Sequence, residues 1–158
     1  MMFAKRFIVS ALLGLAVPAA APAQPITAGC SPNKMEYVAS DGKAFHLTAS
    51  DYADLPQARM VIRQGGNRNS CVIVRFSANA DADGVPIGVR AVLNEVTTAL
   101  PSELQFSDGN DNGPDARRFV FVFDSVPPGQ HPIRIQYRLL GTGNADMNAH
   151  NLIVWYTR

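Results

Sequence analysis

The most specific chemical pattern in the chain is a run of oxygen-bearing side chains that begins at Asp108. Asp108, Asn110 and Asn112 stand at the first, third and fifth positions of a calcium-loop pattern, with a glycine at the sixth. The twelfth position, where such loops place a bidentate glutamate, is Phe119. Calcium takes about six to eight oxygen ligands, so Asp115, water or another loop would have to complete the set. The alternative is a solvated connection in which Asn, Asp and Gly supply turn conformations.

Carboxylates could also serve acid–base chemistry, because a pair of them hydrolyses glycosidic bonds when burial holds a proton on one. Outside the loop the candidates are Glu95 and Glu103. Every clustered acid falls in a turn-like segment that should be solvated, so a secreted carbohydrate-active hydrolase is only an alternative function. A calcium-dependent glycan-binding domain is the other alternative. No G-x-S-x-G or H-E-x-x-H motif occurs. We therefore expect no catalytic residue and no cofactor other than a possible calcium ion.

Outward-facing arginines form a second candidate site. They are Arg75, Arg90, Arg134 and Arg138. If their strands share a sheet, the guanidinium groups form a polar face that can bind carboxylates or sugar hydroxyls. The alternative is that they serve solubility and resist edge pairing, as charged side chains on sheets commonly do. Trp155 and Tyr156 could offer a ring for sugar stacking, but alternation leaves only one of them outside.

Short extended segments must position these side chains, because apolar residues recur at every second position through most of the chain. In Ile133 to Leu139, two arginines and a glutamine alternate with apolar residues. A helix would spread those polar side chains around its circumference, whereas a strand places them on one face. Phe119 to Phe123 sets three phenylalanines on one face and is typical of a central strand. Similar alternation marks residues 71–77, 87–94 and 152–156, and weaker candidates are 35–40, 44–48 and 59–63.

About eight strands separated by turns predict an all-β fold, an antiparallel two-sheet β-sandwich. Residues 24–158 show no linker or repeat, so they should form one domain. The phenylalanine row and the row Ile133 to Tyr137 should pack against each other or side by side. Residues 50–58 could begin a short helix capped by Ser50, although Pro56 limits it to a turn or two.

Residues 1–23 have the pattern of a secretory signal peptide. Lys5 and Arg6 precede an apolar run from Phe7 to Val17, and residues 21–23 supply a small-x-small cleavage site. A membrane anchor is the alternative, but a spanning helix needs about 20 apolar residues and this run is stopped early by proline. We expect an exported protein, periplasmic or extracellular, with no transmembrane segment in the mature chain.

Cys30 and Cys71 both fall in the exported part, where an even number of cysteines most simply forms a disulfide. Metal ligation would need further Cys or His residues at ligand spacing, which the chain lacks. Lipidation of Cys30 calls for an aliphatic residue three positions earlier, where the chain has Thr27. We predict the disulfide, with lipidation as the main alternative.

The C-terminal third of the mature chain resembles small exported bacterial β-sandwich proteins of jelly-roll or immunoglobulin-like type. The residues that carry the resemblance are Phe121 to Phe123, Pro128 to His131, Ile133 to Arg138, Gly143 and Leu152 to Val154. Such proteins mostly have no assigned activity, so the resemblance implies the fold and no catalytic residue.

The charge balance does not identify a binding partner. Lysine and arginine number 14 and aspartate and glutamate 13, which gives no field that would attract nucleic acid or an anionic membrane. The leading expectation is an exported, non-enzymatic binding or structural module whose partner is a glycan or another envelope protein. A subunit that adds a strand to a neighbour is a third possibility.

Overall fold

The computed structural model describes residues 30–82, 84–107 and 113–158. The predicted signal peptide, residues 1–23, lies outside them. Within the described ranges, no helix has the length and apolarity needed to span a bilayer. The chain forms ten strands, which are β1 (Lys34–Ala39), β2 (Phe45–Leu47), β3 (Ala53–Gln64), β4 (Ser70–Asp81), β5 (Ile87–Leu93), β6 (Thr97–Thr98), β7 (Leu104–Ser107), β8 (Asp115–Val126), β9 (Gly129–Leu139) and β10 (Ala145–Tyr156).

The strands divide into two antiparallel sheets of five, which confirms the predicted all-β sandwich. Sheet A has the order β1-β10-β4-β8, with β2 also paired to β10. Sheet B has the order β3-β9-β5-β6, with β7 also paired to β5. The count exceeds the expected eight because β6 and β7, of two and four residues, are too short to show a clear alternation.

The strand pairs are nested within one another along the chain. The first strand pairs with the last, β3 with β9, β4 with β8, and β5 with β7. Each sheet face therefore combines residues from distant parts of the chain.

The core lies between the inner faces, where the alternation predicts it. Phe121 and Phe123 of β8 are 0% and 4% exposed, and Ile133 and Ile135 of β9 are both 0% exposed. Because β8 belongs to sheet A and β9 to sheet B, the two rows approach the core from opposite sides. Both rows belong to the one buried core. The phenylalanine-rich run is not the central strand that its composition predicts, because β8 is the end strand of sheet A and its aromatic rings are buried by packing against the other sheet.

The short helix considered for residues 50–58 does not form. Residues 53–64 are strand β3 instead, and its pairing with β9 shifts between Asp54 and Arg59. Leu55 and Ala58, both within the irregular segment, are 2% and 0% exposed. Burial of these apolar side chains outweighs the weak local helix preference, and Pro56, which has no N–H, is accommodated by the bulge.

Cys30 and Cys71 form the predicted disulfide, with their Cα atoms 5.5 Å apart. The bridge links the segment before β1 to the start of β4. In sheet A, β10 lies between β1 and β4. The Cys71 side chain is buried. A bridged Cys30 favours the disulfide over the lipidation alternative.

His150 is a titratable side chain in the core. It is 4% exposed and lies between the rings of Phe45 and Phe76, at centroid distances of 5.8 and 6.1 Å. Neither ring nitrogen has a hydrogen bond of normal geometry with any residue that the structure describes. Burial lowers the pKa of His150 below 6.5, and the Pro56 backbone and Asp41 oppose that shift. The folded chain therefore holds this imidazole neutral.

We expect His150 to make the fold less stable in acid. The unfolded chain binds a proton at His150 more readily, so stability is complete above pH 6.5 and falls as the pH drops from there toward the lower folded pKa. The slope contributed by this one group cannot exceed about 1.4 kcal/mol per pH unit. Urea unfolding of His150→Leu at pH 7 and pH 5 should show a smaller loss of stability than the wild type. An equal loss in both proteins would refute this assignment.

Candidate functional site

Three of the four predicted arginines share one sheet. Arg90 lies in β5, and Arg134 and Arg138 lie in its neighbour β9, all in sheet B. Arg75 lies in β4 of sheet A. The structure therefore brings three of these residues together and places the fourth on the other side of the sandwich.

The sheet B arginines belong to a polar network that we call the arginine cluster. Its members are Tyr52, Asp54, Arg90, Glu103, Arg134, Gln136 and Arg138. Arg138 donates two hydrogen bonds to Glu103, from Nε to Oε2 at 2.7 Å and from Nη2 to Oε1 at 3.0 Å. The Tyr52 hydroxyl donates to the same carboxylate. Gly88 leaves room for this contact, because a Cβ atom there would lie 2.8 Å from Glu103 Oε2.

The rest of the cluster is joined through Gln136. Arg90 donates from Nε and Nη2 to Gln136 Oε1 at 2.9 and 2.7 Å. Gln136 Nε2 donates to Asp54 Oδ1 at 2.8 Å, and Arg134 Nη1 donates to Asp54 Oδ2 at 3.2 Å. Arg90 also stacks 3.4 Å from the centre of the Tyr52 ring. A ligand carboxylate would have to displace Asp54 or Glu103 from these arginines.

Glu103 and Tyr52 of the cluster are not tuned for acid–base chemistry. The hydrogen bond from Arg138 lowers the pKa of Glu103, and burial, followed by Glu103 itself, raises the pKa of Tyr52. Glu103 is therefore ionised and Tyr52 protonated at neutral pH. General acid–base catalysis favours a group that titrates near the working pH. The pKa values of Glu103 and Tyr52 are both shifted away from neutral pH.

The outer face of sheet A has a different chemistry. Its side chains form four transverse rows, fixed by the pairing of β1, β10, β4 and β8. Rows one and two are mostly apolar, and rows three and four carry small, amide and guanidinium side chains. In strand order, the rows are Met35, Trp155, Ile73 and Val122; Tyr37, Ile153, Arg75 and Val120; Ala39, Asn151, Ser77 and Arg118; and Ala149, Asn79 and Ala116.

Apolar surface is unusually accessible on this face. The exposed fraction is 74% for Tyr37, 52% for Met35 and 49% for Val120. Trp155 faces outward here, whereas Tyr156 is 1% exposed in the core, so alternation correctly leaves one of the two outside. A contiguous exposed apolar patch on a soluble domain commonly marks an interaction site.

The four rows of this face contain two arginines and no Asp or Glu. Neither Arg75 nor Arg118 forms an ion pair with any residue that the structure describes. Arg75 instead lies over the Trp155 ring, 5.1 Å from its centre, and its Nε is buried without a hydrogen-bond partner.

Rows three and four line a shallow depression of about 490 Å³. Ser77, Asn79, Arg118 and Asn151 supply most of its polar groups. Asn79 Oδ1 is buried, and no residue that the structure describes donates a hydrogen bond to it.

The candidate calcium loop falls mostly outside the described residues, which exclude Asp108, Asn110 and Asn112. Asp115 is described: it begins β8 opposite Ala80, and its carboxylate accepts a hydrogen bond from Arg117 Nε. Within residues 30–82, 84–107 and 113–158, no three Asp, Glu, His or Cys residues converge as metal ligands. Calcium binding stays a prediction.

Sequence reasoning missed Tyr37, Asn79 and Arg118 as members of one surface. Alternation indicates that each side chain faces outward, but only the register places Arg118 opposite Ser77, and Ser77 opposite Asn151. Those pairings join β8, β4 and β10, whose order is not readable from local patterns.

Comparison with known proteins adds little to this geometry. No protein-family model matches the chain, and no curated protein matches it. Among solved structures, dimeric latent PorU from Porphyromonas gingivalis is similar at 12% sequence identity and a TM-score of 0.36. The match covers 85% of this chain and 14% of that one. The chain thus spans a small part of PorU, and a likeness this weak carries no functional argument.

Proposed function

We propose that the protein is an exported, non-enzymatic binding module that holds an acidic glycan on the outer face of sheet A. The observation that carries the proposal is the charge pattern of that face: no acid occurs in the four rows, and no carboxylate of the described residues pairs with Arg75 or Arg118. The arginine cluster of sheet B is less suited, because Asp54 and Glu103 already occupy Arg134 and Arg138.

The side chains of this face match the groups of a sugar acid. A guanidinium binds a carboxylate through two parallel hydrogen bonds, which suits Arg118. Amides and hydroxyls such as Asn79, Asn151 and Ser77 can donate to and accept from sugar hydroxyls. Tyr37 beside them offers an exposed ring to the apolar side of a sugar. The depression of about 490 Å³ falls within the range of small-ligand sites, about 300–1,000 Å³.

Export is supported by the signal-peptide pattern of residues 1–23 and by the Cys30–Cys71 disulfide, since disulfides persist in oxidising compartments. The absence of catalysis is supported by the protonation states of Glu103 and Tyr52, which do not change near neutral pH.

The strand order supports the jelly-roll alternative for the sandwich. When the short β2 and β6 are set aside, the eight remaining strands pair as nested hairpins across the two sheets. A jelly roll is such a double-sheet arrangement of eight strands. We infer this type in preference to the immunoglobulin-like one.

Affinity electrophoresis of the purified protein in gels with polygalacturonate or neutral dextran tests the glycan assignment. Polygalacturonate should retard the wild type and dextran should not. Arg118→Gln should weaken the retardation about tenfold or more, because a charge-assisted hydrogen bond contributes about 1.5–3 kcal/mol. Added salt should weaken it further.

Arg63→Gln is the matched control, because Arg63 is exposed on β3 of sheet B. It should bind as the wild type does. Equal retardation by dextran, or an unchanged Arg118→Gln, would overturn the glycan assignment. Release of reducing ends from polygalacturonate would support the alternative, a secreted hydrolase.

A further inference from the structure

Strand β1 is a regular strand with an open edge. It is the end strand of sheet A and pairs only with β10 among the described strands. Each of the other sheet edges is bridged at one point, irregular or formed by short strands. Leu100 bonds to Val122 of β8 through two backbone hydrogen bonds of 2.8 Å, β6 and β7 flank β5, and β3 has the bulge that contains Pro56. Natural sandwiches commonly protect such edges because they invite pairing.

The register shows which backbone groups of β1 are free. Ser40 N donates to His150 O at 2.9 Å, and these residues are opposite each other in the continuing β1–β10 register. In an antiparallel pair, alternate residues bond to the partner, so Val38 and Glu36 also face β10. Met35 and Tyr37 therefore direct their N–H and C=O groups to the open edge.

The two ends of this edge are not equally accessible. Val38 and Ala39 lie beside the β3 bulge and line with it a groove of about 600 Å³. Gln57 of the bulge accepts a hydrogen bond from Asp41 N just beyond the strand. The N-terminal half of β1, up to Tyr37, is the part that another strand can approach.

The charges in that half are complementary to themselves. Lys34 and Glu36 flank Met35 and form an ion pair of 2.7 Å on one face of the strand. When two copies of β1 pair antiparallel with Met35 opposite Met35, Lys34 of each copy lies opposite Glu36 of the second copy. Opposite charges directly across a sheet stabilise the pair, whereas like charges destabilise it.

We propose that the protein forms a two-fold symmetric dimer through the β1 edges, in the register centred on Met35. The two A sheets then form one continuous sheet. The contact covers Met35 and Tyr37, which are 52% and 74% exposed in the single chain. An isologous contact of this kind closes on itself and does not grow into fibres. The dimer places the outer faces of the two A sheets side by side. The dimer proposal does not depend on whether those faces bind a glycan.

Sedimentation equilibrium over a range of protein concentrations tests the dimer. The wild type should change reversibly from monomer to dimer. Met35→Pro removes the central N–H donor without breaking a bond to β10, and it should raise the dimer dissociation constant about tenfold or more. Val38→Pro is the contrasting variant, because its N–H faces β10 and its loss should lower the melting temperature.

Charge reversal tests the register. Glu36→Lys places Lys34 opposite a lysine and should weaken the dimer, whereas the double variant Lys34→Glu/Glu36→Lys restores complementarity and should recover it. Melting temperatures of both variants show whether the fold is intact. A wild type that stays monomeric, or a dimer unaffected by Met35→Pro and by Glu36→Lys, would overturn the proposal.

Discussion

Replacing both cysteines, as Cys30→Ser/Cys71→Ala, should lower the free energy of unfolding by about 4 kcal/mol. The bridge spans a sequence separation of 41 residues, and closing a loop of that size restricts the unfolded chain strongly. It also joins the segment that precedes β1, an end strand of sheet A, to β4, which lies on the other side of β10. A domain of this size has a total stability of about 5–15 kcal/mol, so the loss would be a large part of it.

Urea unfolding followed by intrinsic fluorescence measures this loss, with the reduced wild type as the control. Reduction and substitution should have similar effects, because both remove the same cross-link. A double variant within about 1 kcal/mol of the oxidised wild type would show that the bridge contributes little, contrary to the chain-entropy account.

Phe121→Ala should destabilise the fold by about 3–5 kcal/mol, the usual cost of removing a buried phenylalanine. Phe121 is 0% exposed, on the inner face of sheet A. Its ring lies 6.5 Å from that of Phe119, which in turn contacts Phe106 at 5.5 Å, between centroids. Truncation would leave a cavity in the packing that joins β8 to β7 of the other sheet.

Val120→Ala is the matched control, because Val120 is the preceding residue of β8, faces the opposite way and is 49% exposed. Its substitution should change stability by roughly 0.5 kcal/mol or less. Differential scanning calorimetry of the two variants measures the contrast. Similar losses at both positions would contradict the inward–outward alternation on which the fold rests.

Local pattern predicts much of this fold. The row of phenylalanines in β8 and the alternating arginines of β9 indicate extended strands and their buried sides correctly, because side-chain direction in a strand depends only on position. The same reasoning fails at residues 50–58, where Ser50 and the following residues favour a helix locally. The burial of Leu55 and Ala58 makes that segment a strand, and the residues that it pairs with are distant in the chain.

The candidate sites show the same division. Outward arginines are readable from alternation, but their partners are not, because Arg138 meets Glu103 and Arg134 meets Asp54 across long sequence separations. The sequence alone determined the class of fold, the buried side of the long alternating strands and the cysteine pair. Only the tertiary structure decided which outward side chains share a face. Strand order and register depend on pairing between distant segments, and local periodicity carries no information about that pairing.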